Sequence, residues 1–283
     1  MRVILLRTAA ILLCVCVLLT ENAHISFADD LTLTEAYFAQ REEYSGMLEV
    51  PGKGPMRYYA QNDPLWADFA YENAATQSRR PFKDGGCGPT AGAMAVANLI
   101  PAEDLPGIAA YAKKEYSLCP CSITKEKCIH HFHSRYVLTS QRDFERFLPL
   151  VLADFAIGNN TFSVVSRGAD KGTNSGFLHS VAKAYGITVT STNDKSQAFA
   201  ALAQGDTVVG HASRGGAFTN TGHYVLIAHV DEDRVYILDP LRREVYKTNQ
   251  SSKLEIIQPG LVAITHQNYS ASGIGMYMIF HRE

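Results

Sequence analysis

Three side chains far apart in the chain have the types and settings for nucleophilic acyl transfer: Cys87, His223 and Asp239. Cysteine attacks as its thiolate, and a helix start favours that anion because the exposed N–H groups and the dipole end are positive. Cys87 stands at such a start. The run Gly88-Pro-Thr-Ala-Gly-Ala-Met-Ala-Val-Ala-Asn-Leu99 is small and apolar, with Ala91, Met94, Ala95 and Leu99 on one helical face. Pro89 falls in the first turn, where its missing N–H costs little. Gly85 and Gly86 allow a sharp approach and leave space for a substrate backbone at the sulfur. The Cys87 N–H would then serve as an oxyanion donor. A buried structural cysteine heading a packed helix explains the same pattern, so the partners of the thiol decide between the two.

A cysteine nucleophile needs a base brought in from elsewhere in the chain. His223 follows Thr221-Gly222 and opens the apolar run Tyr224-Val-Leu-Ile, so a strand start would fix its imidazole at a sheet edge. The base in turn needs an acceptor that holds its second nitrogen. Asp239 ends the run Val235 to Leu238 and is followed by Pro240. A hairpin through Asp231-Glu232-Asp233 would set the two strands side by side and bring both residues to one end. Taken singly, a histidine opening a strand and an Asp-Pro turn are ordinary structural features.

Positioning these groups requires helices first and a sheet afterwards. Helical patterns cover Cys87 to Leu99, Leu105 to Glu115, Gln141 to Phe155, Gly176 to Tyr185 and Ser196 to Leu202, with Gly186 and Gly205 as stops. From Thr207 onward short β-rich runs take over: Thr207 to His211, Tyr224 to Val230, Val235 to Leu238, Arg243 to Lys247 and Gly275 to His281. A helical lobe with a buried nucleophile helix packed on an antiparallel sheet is an α+β plan. No repeat or linker tract divides the chain. The expected organisation is a removable segment at 1–28, an extension at 29–56 holding an amphipathic helix at Leu33 to Gln40 and a turn at Pro51 to Pro55, and one domain at 57–283.

The first segment has the form of a secretory signal: Arg2 and Arg7, the apolar stretch Ala9 to Leu19, and Ser26-Phe27-Ala28 before Asp29-Asp30. The stretch is short for a membrane span. Export to the extracellular space or cell envelope is therefore expected, with no stable membrane span after removal and a monomeric chain. With 46% hydrophobic residues, a formal charge of −2 and no basic run, the composition is globular and offers nothing to a phosphate backbone, which excludes nucleic acid as a partner. Cys119, Cys121 and Cys128 cluster with His130, His131 and His133. In an oxidising compartment two of the three thiols pairing as a disulfide is the favoured reading; zinc held by Cys119, Cys121, Cys128 and His131, although the spacing fits no standard zinc motif, and free thiols on a surface loop are the alternatives. No cofactor is expected. His179, His211, His229, His266 and His281 read as structural or surface residues.

Tyr59-Ala-Gln61-Asn-Asp-Pro-Leu-Trp66, Gly86-Cys87-Gly88-Pro89-Thr90 with Ala93-Met94, Gly222-His223-Tyr224 and Leu238-Asp239-Pro240 together resemble the C39-like peptidase family, in that family's order. The resemblance implies a papain-like cysteine peptidase fold and a secreted hydrolase cleaving peptide or amide bonds in peptide or protein substrates. It assigns Cys87 as nucleophile, His223 as base, Asp239 as its orienter and Gln61 as an amide donor to the oxyanion. The best-known members are the N-terminal domains of peptide exporters; this chain carries no P-loop and resembles the stand-alone secreted branch. A catalytically silent binding module on the same scaffold, and acyl transfer to an amine, use the same residues and remain the alternatives.

Overall fold

The computed structural model describes residues 44–73, 78–105, 141–158 and 173–282. The removable segment, the Leu33 to Gln40 helix and the Cys119, Cys121, Cys128 and His131 cluster all lie outside the described residues, as does the expected helix after Leu105. The compact unit that holds the described chain runs from Tyr44 to Glu283.

Its centre is a seven-stranded sheet. In chain order the strands of the molecule are β1 Gly46–Val50, β2 Gly54–Tyr58, β3 Ala70–Asn73, β4 Ser78–Pro81, β5 Thr188–Thr192, β6 Thr207–Ala212, β7 His223–Val230, β8 Arg234–Leu238, β9 Glu255–Gln258, β10 Leu261–Thr265 and β11 Ile274–His281. The large sheet has the order β5-β11-β6-β7-β8-β10-β9, every neighbouring pair antiparallel. β1 with β2 and β3 with β4 form two small hairpins. The helices are α1 Phe82–Gly85, α2 Cys87–Ala97, α3 Gln141–Gly158, α4 Ser175–Ala184 and α5 Lys195–Ala203. α4 and α5 start on Asn174 and Asp194, whose side chains accept from the N–H groups of Gly176 and Ser196.

α2 is buried from Cys87 to Val96 on every side, as its uniformly small residues require. It packs on β6 and β7 and against α3 and α4. Thr207 on β6 donates its hydroxyl to the Ala95 carbonyl at the far end of α2. The opposite face of the sheet buries Val208, Val225, Ile227, Val235, Ile237, Val262 and Ile264 with Ala198 and Leu202 of α5. Alternation along each strand thus divides the sheet into a face under α2 and a face under α5.

Several expectations change in detail. α3 carries Pro149 and breaks at Phe147 (φ −102°, ψ 15°), since proline removes an internal hydrogen bond and crowds the preceding turn. Arg243 to Lys247 is not a strand: it forms the loop after Asp239, and Tyr246 leaves the ladder to reach that carboxylate. β9 and β10 lie instead on either side of Pro259-Gly260. The Pro51 to Pro55 turn joins two paired strands, so the chain from Gly46 already contributes a hairpin.

Candidate active site

The sheet register decides which face Asp239 occupies. Leu226 pairs with Leu238 and Ile227 with Ile237, but His229 pairs with Tyr236, so Ala228 is an extra residue in β7. Continued past Leu238, the inner register sets Asp239 opposite Val225, diagonal to His223 and on the same face. Were Ala228 paired within the ladder instead of left out of it, Asp239 would oppose Leu226 and point to the other side. The tight end of the hairpin is held by Asp231, whose Oδ1 accepts from the N–H groups of Asp233 and Arg234 at 2.9 and 2.7 Å.

His223 Nε2 lies 2.6 Å from Asp239 Oδ1, both side chains being almost wholly buried. The ring also hydrogen-bonds the Cys87 thiol, and with Nε2 taken by Asp239, Nδ1 is the nitrogen left for that contact. The main-chain N–H of Tyr224 donates to the same sulfur. Burial alone would raise the Cys87 pKa; the hydrogen bond and charge of His223 and the Tyr224 N–H outweigh it and bring the thiol below its ordinary value. Burial opposes charge on His223 too, yet the Asp239 carboxylate lifts it to about 9. Both shifts favour a thiolate–imidazolium pair at neutral pH.

Asp239 is fully buried and saturated with donors. Beyond His223, Oδ1 accepts from the Leu241 N–H at 2.8 Å, and Oδ2 accepts from the Tyr246 hydroxyl at 2.7 Å and from Arg243 Nη2 at 3.2 Å. Burial would raise its pKa, but the charge and hydrogen bond of His223, then the Arg243 charge and the Tyr246 hydroxyl, hold it down to about 2. Tyr246 stays protonated because burial and the Asp239 charge both raise its pKa. The main chain of Asp239 is fixed as well, its N–H on the Gly260 carbonyl at 2.9 Å and its carbonyl under the Tyr58 hydroxyl at 2.9 Å. Gly260 has φ +93°, and a Cβ there would fall 2.5 Å from the Tyr58 hydroxyl oxygen, so the turn needs glycine on both counts.

The glycines beside Cys87 are required by packing. A Cβ at Gly86 would lie 2.6 Å from the Phe82 ring and carbonyl, and one at Gly88 would lie 2.4 Å from the Thr173 Cβ. Gly86 itself has φ −81°, a conformation open to any residue. Its role is therefore close approach rather than the sharp turn expected from the sequence.

Gln61 is buried next to this group. Its N–H donates to the Pro240 carbonyl at 2.6 Å, its side-chain Nε2 donates to the Lys83 carbonyl just ahead of α2, and its Oε1 has no hydrogen-bond partner among the described residues. Asn62 doubles the link, exchanging hydrogen bonds with both the carbonyl (2.8 Å) and the N–H (3.0 Å) of Arg242. The segment Ala60 to Trp66 is thereby tied to the loop after Asp239. Cys87, His223, Asp239 and Gln61 are the site residues that the sequence points to, whereas Tyr58, Asn62, Arg243 and Tyr246 join the site only in the fold. The only sequence signal for the last two was a basic and an aromatic residue within seven positions of Asp239. Among the described residues no group of three or more His, Cys, Asp or Glu side chains is placed to hold a metal, and no helix is long and apolar enough to cross a membrane.

The Peptidase_C39 like family matches residues 56–258, well over half of the chain. The chain belongs to that family. Its α+β architecture, with the buried cysteine helix packed on an antiparallel sheet, is the papain-like one, and membership implies a cysteine peptidase-type hydrolase. No curated protein sequence matches the chain. Among solved structures, a candidate C39-like peptidase from Bacillus anthracis is similar at 16% identity with a TM-score of 0.29, over 40% of this chain and 62% of that one. The chain therefore spans less than two thirds of that protein's length.

Proposed function

We propose that this C39-like protein cleaves peptide or amide bonds through a thioester on Cys87. The observation that carries the reading is the continuous chain from the Cys87 sulfur through the His223 ring to a buried, four-fold hydrogen-bonded Asp239. The thiolate adds to the scissile carbonyl, and the charge moves to the carbonyl oxygen. Cys87 is the first residue of α2, so its N–H has no intrahelical acceptor and can meet that oxygen. The Gln61 amide has two N–H donors and spends one on Lys83, which leaves one for the same oxyanion. His223 then passes its proton to the leaving amine and, as the neutral base, draws a proton from the water that hydrolyses the thioester. Asp239 keeps the ring oriented and stabilises its cationic form throughout.

The same reading includes export of the mature chain from Asp29 onward, supported by the pattern of charge, apolar stretch and small residues over residues 1–28. N-terminal sequencing of the protein recovered from outside the cytoplasm should begin at Asp29. Chemistry is tested by incubating the protein with a library of amidated peptides and reading both products and intact mass. The expected result is peptide cleavage with a hydroxylamine-labile acyl adduct on Cys87. Equal cleavage by the Cys87→Ala variant would overturn the assignment.

A further inference from the structure

On the α2 face of the sheet one side chain stays half-exposed beside the nucleophile. Thr207, Val209 and His211 alternate onto that face of β6, which Thr207 identifies through its hydrogen bond to Ala95. Ala95 lies eight residues after Cys87, about 12 Å along the helix axis. His211 lies four residues after Thr207, about 13 Å along the strand. β6 and α2 run antiparallel here, so His211 comes level with Cys87. Its cross-strand partner is Tyr224, whose N–H holds the thiol sulfur, and the two rings stand 4.8 Å apart. Gly222 closes the other side: a Cβ there would meet His211 Nε2 at 3.0 Å. Val209, Tyr224 and Leu226 on this face are buried, and His211 is where the face opens.

Resting on the thiolate reading of Cys87, we propose that His211 lines the substrate groove beside the nucleophile and receives an acidic side chain of the peptide. Neutral imidazole can donate its N–H to a carboxylate, and the protonated ring adds an opposite charge. A lysine or arginine at the same subsite would meet the His223 cation as well. Burial, and then the His223 charge, keep His211 below the ordinary imidazole pKa of 6.5, so its cationic form grows in as the pH falls below that value. The groups facing the ring are Tyr224 on β7, uncharged Gly222 ahead of β7, Met276 opposite it on β11 and, from α2, the Cys87 thiol; His223, next to Tyr224 on β7 and turned to the other face, acts on the ring through its charge. His223 remains cationic and Asp239 anionic across the range between about 2 and about 9, so neither changes charge in the window where His211 does.

The probe is a pair of reagents of nearly equal size, iodoacetate and iodoacetamide, applied to the whole protein between pH 5 and 7.5. The ratio of their Cys87 alkylation rates cancels the thiolate fraction and reads the charge near the sulfur. A unit charge gained at a few ångströms in a half-wet groove should raise the ratio by up to about fivefold, the rise setting in below pH 6.5 and growing as His211 protonates. His211→Gln should flatten that rise while leaving the iodoacetamide rate within about twofold, and His211→Lys should hold the ratio high at pH 7.5. Unchanged ratios in both variants overturn the placement of His211. Absence of iodoacetamide labelling at pH 6 in the unaltered protein instead sinks the thiolate reading, a separate and visible failure.

Discussion

The Asp239→Asn substitution tests the site's electrostatics with one heavy atom exchanged. His223 is held at about 9 against an ordinary 6.5 in spite of burial, lifted first by the charge and hydrogen bond of Asp239 and then by those of Cys87. At about 1.36 kcal/mol per pKa unit the whole lift is on the order of 3 kcal/mol of stabilisation for the imidazolium. The amide cannot supply the carboxylate's share, the larger one. With its oxygen kept on His223 and the Leu241 N–H, its NH2 faces the Tyr246 hydroxyl, which can turn to accept, and Arg243, which cannot. The thiolate–imidazolium population should fall by roughly two orders of magnitude, and iodoacetamide labelling of Cys87 at pH 6 with it. The labelling midpoint should rise by about two pH units. The sign for stability follows from the same shifts. His223 is raised in the fold, so its contribution is complete below 6.5 and fades as the pH climbs through about 9; that of Asp239 is complete above 3.8 and fades as the pH drops through about 2. The unaltered protein should lose thermal stability on both flanks, and the variant only weakly. A labelling rate at pH 6 within threefold of the original would refute the claim that Asp239 sustains the ion pair.

Gln61→Ala should leave iodoacetamide labelling of Cys87 nearly unchanged while lowering kcat about 100-fold or more, the usual loss for one oxyanion donor; an equal fall in both would place Gln61 in the scaffold instead. Gly88→Ala should cost about 1–3 kcal/mol in denaturant unfolding, because the new methyl would lie 2.4 Å from the Thr173 Cβ. Thr173→Gly should relieve that strain and Thr173→Ala should not, since alanine keeps the offending Cβ. Deleting Ala228 should close the bulge and leave every other β7–β8 pair in place, with Asp239 still opposite Val225 and on the face of His223; a folded variant, by circular dichroism, that keeps its labelling at pH 6 is expected, and labelling as slow as Asp239→Asn would refute the claim that the register alone sets the pair.

The parts of the site that could be read from sequence are those fixed by local chemistry. Pro89 and the small residues after Cys87 specify a buried helix start wherever they occur, and the observed α2 begins on Cys87. Asp231-Glu232-Asp233 specifies a tight turn through the side chain of Asp231, and β7 and β8 flank it. Pro259-Gly260 between Glu255 to Gln258 and Leu261 to Thr265 carries an equally local signal for a hairpin. Tyr246 and Arg243 are different in kind. Their run is β-rich like a strand, and only the demand of a buried carboxylate for donors draws them out of one; that demand exists only once β7, β8 and β10 have enclosed Asp239.

The bulge shows most sharply where local reasoning stops. A hairpin drawn from sequence brings His223 and Asp239 to the same end of two strands, but being at the same end does not place them on the same face. With a side-chain period of two, one residue more or fewer between them exchanges contact for opposition. Ala228 is the odd residue, and its exclusion from the ladder keeps the two on one face; alanine has no propensity that announces a bulge. It is fully buried within β7, and its neighbours Ile227 and His229 keep their pairing with consecutive residues of β8. The choice is therefore made by burial on both faces at once: Val225, Ile227, Val235 and Ile237 must meet α5 while Leu226 and Leu238 pair under the other face. The same packing that fills the core thus carries the carboxylate to the imidazole, and the ion pair depends on the parity of the β7–β8 register as much as on the three side chains themselves.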